Sequence, residues 1–217
     1  MLFRSNALSP CLVFSQIANS TITGEQAGRM AIFFFSLTAA MGICGWLAGR
    51  ALKLDQETLS SFLLVVMFSN SGNYALPVIM FAFGRDALAY AAVYFVCSAI
   101  AVYTVGVAIA DKAGSSFGKA VAGILRVPAL YALVAAGLLR FWGFSTPEFL
   151  LRPVNMLSDA ALPVMLLVLG MQLQRAVMPR RAGPVLVATG LSLVASPLIG
   201  IGLSALLGFS GPARQAA

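Results

Sequence analysis

Charged residues break this chain into a succession of long apolar stretches, and that spacing constrains its fold more than any other feature. The stretches fall at about 5–20, 30–49, 60–83, 87–110, 121–142, 156–174 and 185–207. A helix that crosses a bilayer needs about 20 mainly apolar residues, so the spacing predicts seven membrane-spanning helices. The segments 30–49, 87–110 and 185–207 are the clearest; 5–20 and 156–174 are shorter and more polar. Charged residues make up only 10% of the chain, against about 25% in a soluble domain. That is too few to cover a water-facing surface. The predicted fold class is therefore all-α, a polytopic transmembrane bundle of about seven helices with the bilayer as its solvent.

The net charge is +7. The basic residues stand singly between apolar runs, without the patch or basic helix that nucleic-acid binding requires. Their distribution fits the excess of Lys and Arg in cytoplasmic loops. Taking the seven segments in turn, one side receives Arg4, Arg50, Lys53, Lys112, Lys119, Arg126, Arg175, Arg180 and Arg181, and the other Arg29, Arg85, Arg140, Arg152 and Arg214. The first set is predicted cytoplasmic, so the chain starts inside. The stretch SNALSPCLVFSQIA superficially resembles a signal peptide, but Ser9, Pro10, Ser15 and Gln16 interrupt it and no small-residue cleavage site follows. It is read as a helix of the mature protein.

The third segment, SFLLVVMFSNSGNYALPVIMFAFG, does not read as an ordinary lipid-facing helix. Pro77 has no N–H, so the carbonyl of Asn73 loses its helical partner. Gly72 lowers the cost of leaving helical geometry. Ser69, Asn70, Ser71 and Asn73 can satisfy freed backbone groups or offer hydrogen bonds to something else. An unsatisfied backbone group in hydrocarbon costs several kcal/mol, so broken backbone belongs inside protein or beside a water-filled cavity. The expectation is a discontinuous helix at a midplane substrate site. Its second half would begin near Tyr74–Pro77, with a positive end favouring an anion. The bland alternative is a proline kink packed against neighbours.

The sixth segment, LSDAALPVMLLVLGMQLQ, shares some of this character: Pro163 frees the carbonyl of Asp159, and Gly170 and Gln172 follow. It is expected either to form a second wall of the site or to be a simple kink. The string ALPV occurs at Ala75–Val78 and again at Ala161–Val164, too short a match to establish a repeat. Gly45 and Gly49, extended by Gly42, form a small face suited to close helix contact.

Enzyme signatures do not survive inspection. Gly114-Ser115-Ser116-Phe117-Gly118 matches a nucleophile elbow literally, but the chain has no histidine to serve as base. Gly200-Ile201-Gly202 with Ala205 lies inside an apolar span with no preceding strand. Cys11, Cys44 and Cys97 lack metal-ligand spacing and read as small buried hydrophobes. Asn19-Ser20-Thr21 fits a glycosylation sequon by chance. Asp55, Asp86 and Asp111 fall in loops and Asp159 at a segment end, so no pair of mid-membrane aspartates exists for proteolysis. The chain is read as neither an enzyme nor a metal or cofactor protein.

The stretch FSNSGNYALPVIMFAFG, with Asn70, Gly72 and Pro77 in an N-x-G-x-x-x-x-P pattern, resembles the crossover helix of the auxin efflux carrier family of secondary transporters. LSPCLVFSQIANS is similar to the helix two places earlier in that family, and LSDAALPVMLLVLGMQL to its second-half counterpart. The resemblance implies a crossed-helix, inverted-repeat fold of the kind found in bile-acid symporters and NhaA-type antiporters, with ten helices in two repeats of five. It implies small organic anions as substrates, auxin-like or dicarboxylate. The seven segments then match the family's second to eighth helices within one transmembrane domain, residues 1–217. Counterparts of the first, ninth and tenth are missing, so the expectation is a carrier truncated at both ends: a fragment, a truncated gene product, or a chain completed by a homodimer or a complementary membrane subunit.

The reading that follows is secondary active transport, as efflux or exchange, in a bacterial cytoplasmic membrane. The substrate-binding residues would be Asn70, Ser71, Gly72, Asn73 and Pro77, with Pro163 and Gly170 on the facing wall. No mid-span acid presents itself to carry a coupling proton. The competing readings are a sodium-coupled organic anion symporter of similar fold and a non-transporting membrane scaffold or subunit.

Overall fold

A computed structural model describes residues 7–110, 122–123, 125–144, 147–175 and 182–217. The Gly114–Gly118 pattern and Arg4, Lys112, Lys119, Arg180 and Arg181 lie outside the described residues. The described residues form helices α1 (Ser9–Ala18), α2 (Gly24–Ala51), α3 (Gln56–Met67), α4 (Leu76–Ala101), α5 (Val107–Ala110), α6 (Pro128–Phe141), α7 (Glu148–Gln174), α8 (Ala182–Gly190), α9 (Ser196–Leu206) and α10 (Gly211–Ala216). Single π-helical turns at Ser71–Ala75, Val102–Gly106 and Leu191–Ala195 join α3 to α4, α4 to α5 and α8 to α9. No strand occurs among the described residues.

Each of the seven apolar segments contributes helix among the described residues, with the third interrupted at residues 68–70. The long, apolar stretches Gly24–Ala51, Gln56–Ala110, Glu148–Gln174 and Ala182–Leu206 are able to span a bilayer, with α1 and α6 as shorter apolar helices. Gln56–Ala110 is two spans in one. Gly84, at φ 83° and ψ −170°, interrupts α4, in a region of backbone space that is essentially glycine's alone. The chain reverses there, so Gly72 comes against the Phe95 ring.

The ends of the helices are built for water. Thr23 and Gln26 close α2 with a reciprocal capping box, and Asp55 caps α3 through the backbone N–H of Thr58 at 3.2 Å. Three arginines of the set predicted to lie outside tie helix ends to other helices. Arg140 donates to the carbonyls of Ile17 and Ser20 at the C-terminus of α1, and Arg29 to that of Leu207 at the end of α9. Both place a cation at the negative end of a helix. Arg85 pairs with Asp159 at 3.3 Å. Asp159, expected at a segment end, lies well inside α7, because that helix begins at Glu148 rather than near 156. Glu148 and Arg152 pair one turn apart, at 2.7 Å, which lets the charged first turns continue the helix.

Hydrocarbon gives helices no hydrophobic reason to associate, so close packing of small residues must supply it. On α2 a Cβ at Gly49 would run into the Leu59 side chain, at Gly45 it would lie 3.2 Å from Leu63 and Val66, and at Gly42 3.2 Å from Met67. The small face anticipated from Gly42, Gly45 and Gly49 is therefore the seat of α3. Nearer its N-terminus α2 carries Phe33 and Phe34 into the core, where Phe34 meets Tyr94 edge-on at 4.9 Å. Leu12 and Val13 of α1 are fully buried. Ile43, Val65, Phe81, Leu186 and Leu206 point outward and form the lipid-facing surface.

Candidate functional site

The third segment is broken where its sequence suggested. Phe68 ends α3 with extended backbone, and Asn70 adopts a non-helical φ of −76° and ψ of 71°. The chain re-enters helix through the π turn, whose wider pattern appears as Ala75 N–H to Asn70 C=O, 3.3 Å, and Leu76 N–H to Ser71 C=O. Pro77, fully buried in the first turn of α4, offers no N–H to Gly72 in that register or to Asn73 in the α register. The π turn thus absorbs the change of register that the proline imposes. Gly72 has a steric role here: an added Cβ would lie 2.9 Å from the Phe95 ring.

The new helix end is partly closed on itself. Asn70 Oδ1 accepts from the Asn73 N–H at 3.1 Å, and Ser69 C=O from the Ser71 N–H at 2.8 Å. Two of the N–H groups that the sequence suggested for an anion are therefore engaged. Asn73 itself is buried and its Nδ2 donates to Gln172 Oε1 of α7 at 3.3 Å. Its Oδ1 is buried with no partner among the described residues, an arrangement that costs about 1–3 kcal/mol.

Beside the break lies a cavity of about 550 Å³. Ser69, Asn70, Ser71, Gly72 and Asn73 line one side of it. Ser9 of α1, Phe95 and Ser98 of α4, and Tyr103 of the second π turn line others, with Arg126 and Met165 completing the wall. The cavity is polar along the break and largely apolar opposite it. A smaller cavity of about 330 Å³ touches Ser69 and Ser71 from the other face, near Tyr94 and Pro197, so the unwound strand separates two spaces.

Of the residues singled out in the sequence, Asn70, Ser71, Gly72 and Asn73 come together on the main cavity, with Pro77 just behind them. Pro163 and Gly170 do not: both are exposed on α7, and that helix contributes Met165 to the cavity and Gln172 to Asn73 instead. Ala161–Val164 lies in continuous helix, unlike Ala75–Val78, so the shared string carries no shared geometry. Sequence reasoning missed Arg126, which reads as a loop charge, and Ser9 and Ser98, which are small polar residues in apolar runs. The one signal for Arg126 was its place immediately before Val127-Pro128, a stiff helix start.

Comparison with known proteins supplies the family. The profile of a family described as membrane transport protein matches residues 3–119, which include α1, α2 and the whole broken hairpin. An uncharacterized transporter of Methanocaldococcus jannaschii is 25% identical over 209 residues, covering 93% of this chain and 68% of the relative. One of Methanothermobacter thermautotrophicus is 23% identical over 207 residues, covering 95% and 68%. No solved structure matches. With apolar spans, a broken helix and a family match over more than half its length, the chain belongs to the membrane transport protein family of auxin efflux carriers and is a multi-pass integral membrane protein.

Proposed function

We propose that this protein moves small organic anions across the membrane by secondary active transport, binding them in the cavity beside the Asn70–Pro77 break. One observation carries the reading. The unwound polar segment opens on a cavity large enough for a small metabolite, and a lone arginine faces the same space. Non-helical backbone at membrane depth is tolerated beside such a cavity and not in lipid. The serine and asparagine side chains would orient the substrate, and Pro77 would hold the helix broken. Rocking of α1, α6 and α7 against α2–α4 would expose the two cavities in turn. The described helices act as one transporter domain in the cytoplasmic membrane, with the charge-rich Arg50 and Lys53 side inward.

Uptake of radiolabelled malate and phenylacetate into proteoliposomes tests the proposal, with Asn73→Ala as the site variant. Uptake of at least one anion by the wild type is expected, with a loss of roughly tenfold or more on substitution. Undiminished uptake by Asn73→Ala would overturn the site, and no uptake by the wild type would overturn the transport reading.

A further inference from the structure

We propose that Arg126 reads the charge of the substrate, and that the turn before α6 is built to hold it at the cavity. The inference rests on the transport reading above and adds the residue that sets specificity. Among the described residues lining the cavity, Arg126 is the only charged one. Its guanidinium has no hydrogen bond or ion pair among the described residues. Arg29 sits on the Leu207 carbonyl, Arg50 over the Trp46 ring at 4.8 Å, Arg85 on Asp159, Arg140 on α1 and Arg152 on Glu148, while Arg175 and Arg214 line neither cavity at the break.

The backbone that presents Arg126 is constrained from several directions. Its own N–H donates to the Gly123 carbonyl at 3.1 Å, and the Tyr131 hydroxyl donates to the Leu125 carbonyl at 2.9 Å. Val127 is extended and buried, and Pro128 starts α6. Gly123 sits so close to the π turn that a Cβ would lie 3.1 Å from the Tyr103 carbonyl oxygen. A residue that merely anchored the helix to headgroups would need none of this placement.

The arrangement selects a chemical class. The helix end at the break already spends two N–H groups on its own cap, which leaves the guanidinium as the principal anion-binding group. One unpaired cation matches one carboxylate, and Phe95, Tyr103 and Met165 offer an apolar wall for the rest of the molecule. The substrate is an amphipathic monocarboxylate; a second carboxylate would find no cation in the described wall.

Equilibrium binding to the full chain in nanodiscs tests this, with phenylacetate, its neutral amide and succinate as probes. Wild type is expected to bind phenylacetate roughly ten- to a hundredfold more tightly than phenylacetamide or succinate. Arg126→Gln should lose that preference while binding the amide as before, and Arg126→Lys should recover part of it. Equal phenylacetate affinity in wild type and Arg126→Gln would overturn the inference and leave the transport reading standing. So would loss of acid and amide alike in Arg126→Gln, which would mark a structural role. Wild type that binds no probe would overturn both.

Discussion

The side-chain amide of Asn73 donates to Gln172 Oε1 at 3.3 Å, so the break in the first hairpin is tied directly to α7. The other polar atom of the same amide is buried without a partner. Hydrogen bonds between membrane helices contribute about 0.6 kcal/mol on average, whereas an orphaned buried acceptor costs about 1–3 kcal/mol. The unfavourable contribution outweighs the favourable one, and Asn73 is a poor choice for stability alone. Asn73→Leu is expected to leave thermal stability unchanged or raise it by about 1 kcal/mol while abolishing substrate binding. A loss of several kcal/mol in reversible unfolding would show that the amide is structural.

Gly84 turns the hairpin in a conformation that L side chains rarely adopt. Nothing lies within 4 Å of where its Cβ would be, so any penalty comes from the backbone. Gly84→Ala should cost about 1–3 kcal/mol, read as a fall in unfolding midpoint. An unchanged midpoint would mean that the turn relaxes freely.

The seat of α3 on α2 makes a graded expectation. At Gly49 the nearest atom to an added Cβ is the end of the Leu59 side chain, which can swing aside for a methyl group. Gly49→Ala should therefore be tolerated, and Gly49→Ile should cost about 1–3 kcal/mol through overpacking. Equal stability of the two variants would argue that α2 and α3 do not pack through this face.

Much of this architecture was legible in the chain because membrane folding imposes local rules. Uninterrupted apolar length gave the spans, and the small face of Gly45 and Gly49 gave a helix contact. The cost of freeing backbone in lipid marked Asn70–Pro77. Rules of that kind fail where the outcome depends on distant partners. Pro163 breaks no helix, and α7 runs through it exposed. The start of α7 was missed because Glu148 and Arg152 look like loop charges until paired on one helix face. Arg126 obeys the positive-inside pattern, so nothing local distinguishes it from an anchor; only its proximity to Ser98, Tyr103 and Met165 does. The capping of Asn73 by Asn70 was equally invisible, since the same asparagines could have faced a ligand.

The most direct measurement of the central claim, that the break opens on water within the membrane, is one-sided thiol labelling. In a background with Cys11, Cys44 and Cys97 replaced by alanine, Ser69→Cys places a thiol on the unwound segment and Leu193→Cys one on the outward-facing π turn. A charged, membrane-impermeant reagent is expected to modify Ser69→Cys from one side, with protection by phenylacetate, and to leave Leu193→Cys untouched. Ser69→Cys that resists the reagent from both sides, in a protein shown to be folded, would contradict a water-filled substrate cavity at the break.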